Sequence, residues 1–205
     1  ICTGTLSGCF AIAKCALKDG SSPIVPPKIK YMYKIVRSFK YIIHFQTSTM
    51  SSKTLSLVVE KCYKTGTKKL RGRLIAPYQR DGVLWMLWRE RHYTGPKGGF
   101  LCDEMGLGKT VQTITTMLGN PQKSTLIVTP KSIITQWKTE IDRFAPNMKV
   151  MLFDGPNRKT NFDDFDVVIA PYSLVYKKKG EPDETPLHSV HWNRIILDEA
   201  HEIRN

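Results

Sequence analysis

Long apolar runs are missing from this sequence of 205 residues, and none approaches the roughly 18 to 20 residues that a membrane-spanning helix needs. The weakly apolar start is interrupted at Lys14 and has neither an initiator Met nor a basic first segment, so it does not match a secretory signal. We therefore expect no membrane partner. Because the sequence begins at Ile and ends on a motif, we expect it to be a piece of a longer protein.

Cysteine pairs with metal-ligand spacing are also missing. The 5 cysteines form no CxxC pair and no zinc-ligand pattern, which argues against a zinc module. An odd and scattered set is typical of proteins from a reducing compartment, which argues against a disulfide framework. The cysteines are Cys2, Cys9, Cys15, Cys62 and Cys102.

Acidic residues are scarce in the first third of the chain. Residues 1–71 carry 13 Lys and Arg against 2 Asp and Glu, whereas residues 72–205 carry 18 against 16. The net charge of +13 therefore lies mostly in the first third. Such an excess suggests contact with a polyanion such as nucleic acid, but a solvated arm explains the charge equally well.

Two regions are expected. We assign residues 1–70 to a basic N-terminal arm or small β-rich region of uncertain fold, because 33–46 and 53–63 are rich in β-branched and aromatic residues and each is a candidate strand. From residue 71 onward, strands alternate with helices, which predicts an α/β fold with a parallel sheet covered by helices on both faces. Helices are predicted at 76–91, 109–118 and 132–144, and strands at 98–102, 125–129, 149–153, 166–170 and 194–197.

The strongest motif is DEMGLGKT at residues 103–110, which lies between a predicted strand and a predicted helix. In a phosphate-binding loop, Gly106 and Gly108 would allow close backbone approach, Lys109 would contact the β- and γ-phosphates, and Thr110 would join the magnesium shell. The generic pattern has a glycine where Asp103 stands, and a Gly-rich turn that opens an ordinary helix is the alternative. The nucleotide-binding candidates here are Asp103, Glu104, Met105, Gly106, Leu107, Gly108, Lys109 and Thr110.

A second motif, LDEAH at residues 197–201, follows an apolar strand. Asp198 is placed to bind magnesium, Glu199 to orient and deprotonate an attacking water, and His201 to link this site to a nucleic-acid site. Alone, the motif could be an exposed acidic helix start. Together, the loop and the acidic motif, about 90 residues apart, predict a site for ATP and Mg²⁺.

Gln79 has both a functional and an ordinary interpretation, whereas the ordinary one is favoured for Trp137. Gln79 precedes the loop on a predicted helix and could contact the N6 and N7 atoms of adenine, or it could be a surface glutamine. Trp137 lies on a predicted helix and is best explained as a core residue.

These segments occur in an order that resembles Swi/Snf-type ATPases of helicase superfamily 2, over about residues 72–205. The resemblance rests on LIAPYQRDGVLWM, GGFLCDEMGLGKTVQTI, TLIVTPKSIITQWKTEI, DVVIAPYSLV and WNRIILDEAHEIRN. In this family DE precedes MGxGKT, so Asp103 supports the resemblance. Cys102 replaces a commoner alanine and Pro171 a usual threonine. The WMLWRE segment and the DEAH ending look most similar to the branch of DNA-repair and transcription-termination members.

The resemblance implies a RecA-like P-loop lobe that binds ATP and Mg²⁺, closes against a second RecA-like lobe and steps along double-stranded DNA. By motif, Lys131 and Ser132, and more weakly Tyr172 and Ser173, would contact nucleic acid. Lys177, Lys178 and Lys179 form a solvated loop or a phosphate contact. Because the chain stops after the DEAH motif, the second lobe and its arginines are missing, and we expect little ATP hydrolysis by this piece alone.

A nuclear location is expected from the family and from the basic run at 68–73, with a viral or cytoplasmic DNA-replication site as the alternative. Two other functions stay open: a strand-separating DEAH-type helicase, and a nucleotide-binding fragment without turnover.

Overall fold

A six-stranded sheet organises the protein, whose computed structural model describes residues 10–13, 53–91, 98–156, 158, 160–175 and 185–200. The strands are β1 (Phe10–Ala13), β2 (Gly98–Leu101), β3 (Thr125–Thr129), β4 (Val150–Leu152), β5 (Val167–Pro171) and β6 (Arg194–Leu197). Their order across the sheet is β2-β1-β6-β3-β5-β4, and β6, β3, β5 and β4 are mutually parallel. The α/β prediction is confirmed.

Five α-helices accompany these strands in the described residues. They are α1 (Lys53–Lys69), α2 (Pro77–Arg91), α3 (Lys109–Gly119), α4 (Ile134–Phe144) and α5 (Tyr172–Val175), with 3₁₀ turns at Lys131–Ile133 and Pro186–His188. Every helix and strand predicted after residue 72 is present, with bounds within 2 residues of those expected.

No helix in the described part of the chain combines the length and the hydropathy that crossing a bilayer requires.

Alternate residues of the strands serve two separate cores. Ile127, Ile169 and Ile196 pack into a cluster shared with the four longer helices, whereas Val128 and Leu197 face a second cluster. In the described residues that second face is covered by α5, the 3₁₀ turn at Pro186–His188 and connecting segments, so the longer helices share one face of the sheet.

Strand β1 is antiparallel to both of its neighbours, β2 and β6, and nothing in the sequence indicated it. Because one antiparallel strand separates them, β2 and β6 run in the same direction. Their carboxyl ends therefore reach the same edge of the sheet.

The predicted strand at 53–63 is wrong, because these residues belong to helix α1. Val59, Gly66 and Leu70 are buried at helical spacing, and tertiary packing of that face overrides the strand preference of the β-branched residues. At Gly66 and Gly119 the backbones of α1 and α3 touch, since a Cβ on Gly119 would lie 2.5 Å from a backbone oxygen of α1. The predicted strand at 33–46 lies outside the described residues, and the domain boundary at residue 70 stays a prediction.

A buried ion pair joins α2 to the start of β6. Arg194 donates to both carboxylate oxygens of Glu90, at 2.6 and 2.8 Å, and each side chain is 1% exposed. Asn120 donates to Glu90 at 2.6 Å and accepts from Arg194 through its carbonyl at 2.7 Å. This network ties together the last turn of α2, the end of α3 and the amino end of β6.

Replacing Glu90 by Gln leaves the Arg194 guanidinium buried without its counter-charge. We expect the free energy of unfolding, measured by urea denaturation, to fall by about 3–5 kcal/mol. Asp142→Asn is the control, because it removes the exposed i,i+4 pair with Lys138, for which about 0.5 kcal/mol or less is expected. Similar small losses in both variants would contradict the prediction.

Candidate active site

Two glycines in the left-handed region shape the loop between β2 and α3. Gly106 has a φ of 83° and Gly108 a φ of 79°, values that a residue with a Cβ adopts only with strain. Gly108 also precedes the first turn of α3, and no side chain caps that turn. The first amides of a helix have no intrahelical acceptor, so this loop ends on the kind of helix start that binds anions.

Space lies open beside the loop. A Cβ added at Gly106 would have no atom within 4 Å, and the Met105 side chain is 77% exposed. At Gly108, in contrast, a Cβ would lie 2.5 Å from the side-chain amide of Gln79. The loop is thus packed against α2 on one side and accessible on the other, which suits a phosphate chain.

The Lys109 ammonium is held at the start of the loop. Its Nζ donates to the carbonyl oxygens of Asp103 at 2.7 Å and of Glu104 at 2.8 Å. Phosphate oxygens would be equivalent acceptors for the same ammonium, and with a charge they would form stronger bonds.

Asp103 has a structural reason to replace the expected glycine. Its Oδ2 accepts a bond of 2.9 Å from Nε2 of Gln112, a fully buried residue in the second turn of α3. Gly82 on α2 makes room for Gln112, since a Cβ there would lie 2.0 Å from Oε1 of Gln112. The pair fixes the first residue of the loop to α3. Gln112 was missed in the sequence because its partners only meet in the folded chain.

Gln79 is buried rather than on the surface, at 3% exposure. Its Nε2 donates to the Leu107 carbonyl at 3.1 Å, and its Oε1 accepts from the Ile75 amide at 2.8 Å. A glutamine amide has a second donor and a second acceptor position, so these bonds are compatible with an adenine contact, which stays a prediction.

The candidate residues lie side by side at the carboxyl edge of the sheet, because they follow the carboxyl ends of β2, β6, β3 and β5. Phe10 pairs with Leu101, and Ala11 with Leu197, which places Asp198 level with Leu101, the last residue of β2. On its other side, the amide of Asp198 donates to Val128 at 2.8 Å, next to Thr129. Two strand spacings, about 10 Å, separate the ends of β2 and β6.

The Asp198 carboxylate is buried and held by several donors. Its Oδ2 accepts from Nε1 of Trp137 at 2.7 Å and from Oγ1 of Thr129 at 3.4 Å, and its Oδ1 accepts from the Glu199 amide at 2.9 Å. Burial raises the pKa of Asp198 above its ordinary value, the Glu199 charge adds to the rise, and these hydrogen bonds oppose it. A bound cation would favour the ionised form.

Glu199 is strained. Its φ of 51° lies in the left-handed region, which is uncommon for a residue other than glycine, and strained residues of this kind tend to cluster at functional sites. Among the described residues no cluster of three or more His, Cys, Asp or Glu could enclose a metal. Asp198, with Glu199 beside it, offers one or two carboxylates, the number that magnesium uses together with phosphate oxygens and water. His201 lies outside the described residues.

The four nucleic-acid candidates follow β3 and β5 at this same edge. Lys131, 71% exposed, pairs with Asp154 at 3.3 Å, and Ser132 and Ser173 are exposed. Tyr172 is half-buried, and its hydroxyl donates to the Asp198 carbonyl at 2.7 Å. Nucleic-acid contact by all four stays a prediction, and Lys177–Lys179 lie outside the described residues.

Trp137 is a core residue, as predicted, at 2% exposure. Its hydrogen bond to Asp198 was missed, because nothing in the sequence distinguishes an indole that donates to a carboxylate from one that only packs.

Comparisons with known proteins agree on one family. The model of the SNF2-related domain matches residues 78–205. The chain is 33% identical over 160 residues to the ISWI chromatin-remodeling complex ATPase ISW1 of Saccharomyces cerevisiae, covering 72% of this chain and 13% of that protein. It is 37% identical over 143 residues to the putative ATP-dependent helicase/translocase YwqA of Bacillus subtilis, covering 64% and 14%.

The SWI2/SNF2 ATPase core domain of Sulfolobus solfataricus is similar in structure, with a TM-score of 0.48 and 27% identity over 60% of this chain and 25% of that one. The chain spans about one seventh of the length of the two curated relatives, ISW1 and YwqA.

The raised pKa of Asp198 predicts that the effect of Asp198→Asn on stability depends on pH. A folded-state pKa above the unfolded value means that ionised Asp198 costs stability at neutral pH, and that this cost disappears as the pH falls through the folded pKa. We expect the melting temperature of Asp198→Asn, measured without nucleotide or metal, to fall relative to that of the wild type as the pH is lowered from 7 to 4, because the wild type gains stability when Asp198 is protonated. The same difference in melting temperature at both pH values would contradict this.

Proposed function

The chain belongs to the SNF2-related domain family, and from that premise we propose that it is the first ATP-binding lobe of a DNA-dependent ATPase that translocates on double-stranded DNA. One observation carries the proposal. The glycine loop before Lys109 and the buried carboxylate of Asp198 are level at one edge of the sheet, where nucleotides bind in α/β folds.

The residues of the loop would bind the phosphates of ATP. Lys109 would exchange the carbonyl oxygens of Asp103 and Glu104 for β- and γ-phosphate oxygens. Gln79 would use its second donor and acceptor positions on adenine, which would select ATP over GTP.

Thr110 and Asp198 would hold Mg²⁺, which neutralises phosphate charge when it is bound. Glu199 follows directly and would orient and deprotonate the attacking water. The family, the buried carboxylate and the strained glutamate all support this assignment.

Double-stranded DNA would contact Lys131 and Ser132, and Tyr172 and Ser173 are weaker candidates for the same contact. A second RecA-like lobe would close the site. We propose a nuclear location, supported by the family and by exposed basic residues in the run at 68–73, with a viral or cytoplasmic replication site as the alternative. The placement in the repair and transcription-termination branch stays a prediction.

Lys109→Ala should weaken binding of ATP·Mg²⁺ to this chain at least tenfold, measured by isothermal titration calorimetry, because the charged donor to the phosphates is lost. Lys138→Ala on the surface of α4 is the matched control and should bind as the wild type does.

Hydrolysis by this chain alone should be slow by a factor of about a thousand or more relative to the two-lobe protein, since arginines of the second lobe are missing. Rapid DNA-stimulated turnover would refute this last point.

Lys131→Ala should weaken binding to double-stranded DNA and lower the slope of log affinity against log salt by about 1, because one phosphate contact is lost. Lys123→Ala is the matched control: it is also exposed, but it precedes β3 and so lies at the opposite edge of the sheet. Equal effects of the two substitutions would show that only overall charge matters.

Strand displacement by the two-lobe protein would favour the helicase alternative.

A further inference from the structure

The carboxylate of Asp198 is oriented chiefly by one side chain. Of its two side-chain donors, Nε1 of Trp137 lies 2.7 Å from Oδ2, whereas Oγ1 of Thr129 lies 3.4 Å away. We propose that Trp137 is a positioning residue, whose indole N–H fixes the Asp198 carboxylate in the orientation that binds magnesium. This inference rests on the proposed function, because it takes Asp198 as a metal ligand.

The chemistry of the indole suits this task. An indole N–H donates and cannot accept, so it never competes for the cation. It is also neutral. A lysine or arginine at this place would cancel the charge of Asp198 and repel magnesium, whereas Trp137 fixes one oxygen and leaves the net charge unchanged.

The indole is itself held rigidly. Trp137 is 2% exposed and lies on α4 between Ile134 and Ile141, which are buried in the same core cluster. The donor position is therefore set by the packing of α4 against the sheet and not by a mobile surface side chain. When a side chain that hydrogen-bonds to a metal ligand is replaced, the affinity for the metal typically falls 10- to 100-fold.

The chain contains a matched comparison residue. Trp192 is also buried, at 5% exposure, and its Nε1 donates to the Leu187 carbonyl at 2.8 Å. That bond lies in the second core cluster and involves no candidate site residue. Replacing either tryptophan by phenylalanine removes a buried indole donor, but only Trp137→Phe removes one from Asp198.

The test compares both variants with the wild-type chain. Affinity for ATP is measured by calorimetry, once with EDTA and once with Mg²⁺. The affinity with Mg²⁺ divided by the affinity with EDTA gives the contribution of the metal to binding. Trp137→Phe should lower this ratio about tenfold and leave the EDTA affinity unchanged, whereas Trp192→Phe should change neither. A wild-type ratio in Trp137→Phe would overturn the inference. A wild-type chain that binds no ATP under either condition would instead refute the proposed function.

A second measurement decides the inference without ATP and without relying on a folded Trp137→Phe variant. The indole ¹H–¹⁵N resonances of the wild-type chain are recorded during titration with Mn²⁺ alone and in Asp198→Ala. The Trp137 resonance should broaden strongly with Mn²⁺ and shift in Asp198→Ala, while the Trp192 resonance should broaden much less and should not shift. A Trp137 resonance that responds to neither would overturn the inference.

Discussion

The candidate site at the carboxyl edge of the sheet depends on the burial of one negative charge, the carboxylate of Asp198. Taking the Asp198 carboxylate out of water is costly, and the protein offsets part of that cost with donors from three places: the end of β3, the middle of α4 and the adjoining backbone. These donors reach Asp198 only if α4 packs on the sheet in a fixed position and β3 lies beside β6 in register. The site therefore depends on the whole helix-covered core and cannot form from the two motifs alone.

The opposite end of β6 is anchored by a second buried charge, Arg194, which pairs with Glu90. Helix α2 thereby has its last turn attached to the amino end of β6, while Gln79, near its start, contacts the glycine loop. Helix α3 likewise begins at Lys109 and ends beside Asn120, which completes the buried network. The two helices that pack beside the loop are thus joined to the amino end of β6 by the buried network and to the loop at their other ends.

Local patterns predicted most of the fold after residue 72, because short apolar strands and the glycine loop have strong signals of their own. They failed at residues 53–63, where contact with α3 decided for a helix, and at β1, whose four residues carry no distinctive pattern. The site followed the same division. The positions of Lys109 and Asp198 could be predicted from adjacent residues, but the roles of Trp137, Gln112 and Arg194 could not. Their partners are 61, 9 and 104 residues away in sequence, and only the folded chain brings them together.

The glycine contact between α1 and α3 has a mechanical consequence. With Gly66 and Gly119 facing each other, no side chain lies between the two backbones there, so we expect a shift of α3 to move α1 with it. Helix α3 begins at the phosphate loop, whereas the outer face of α1 presents Lys64 to solvent. A fluorophore on that face would therefore follow the motion of the loop from a distance, without touching the nucleotide.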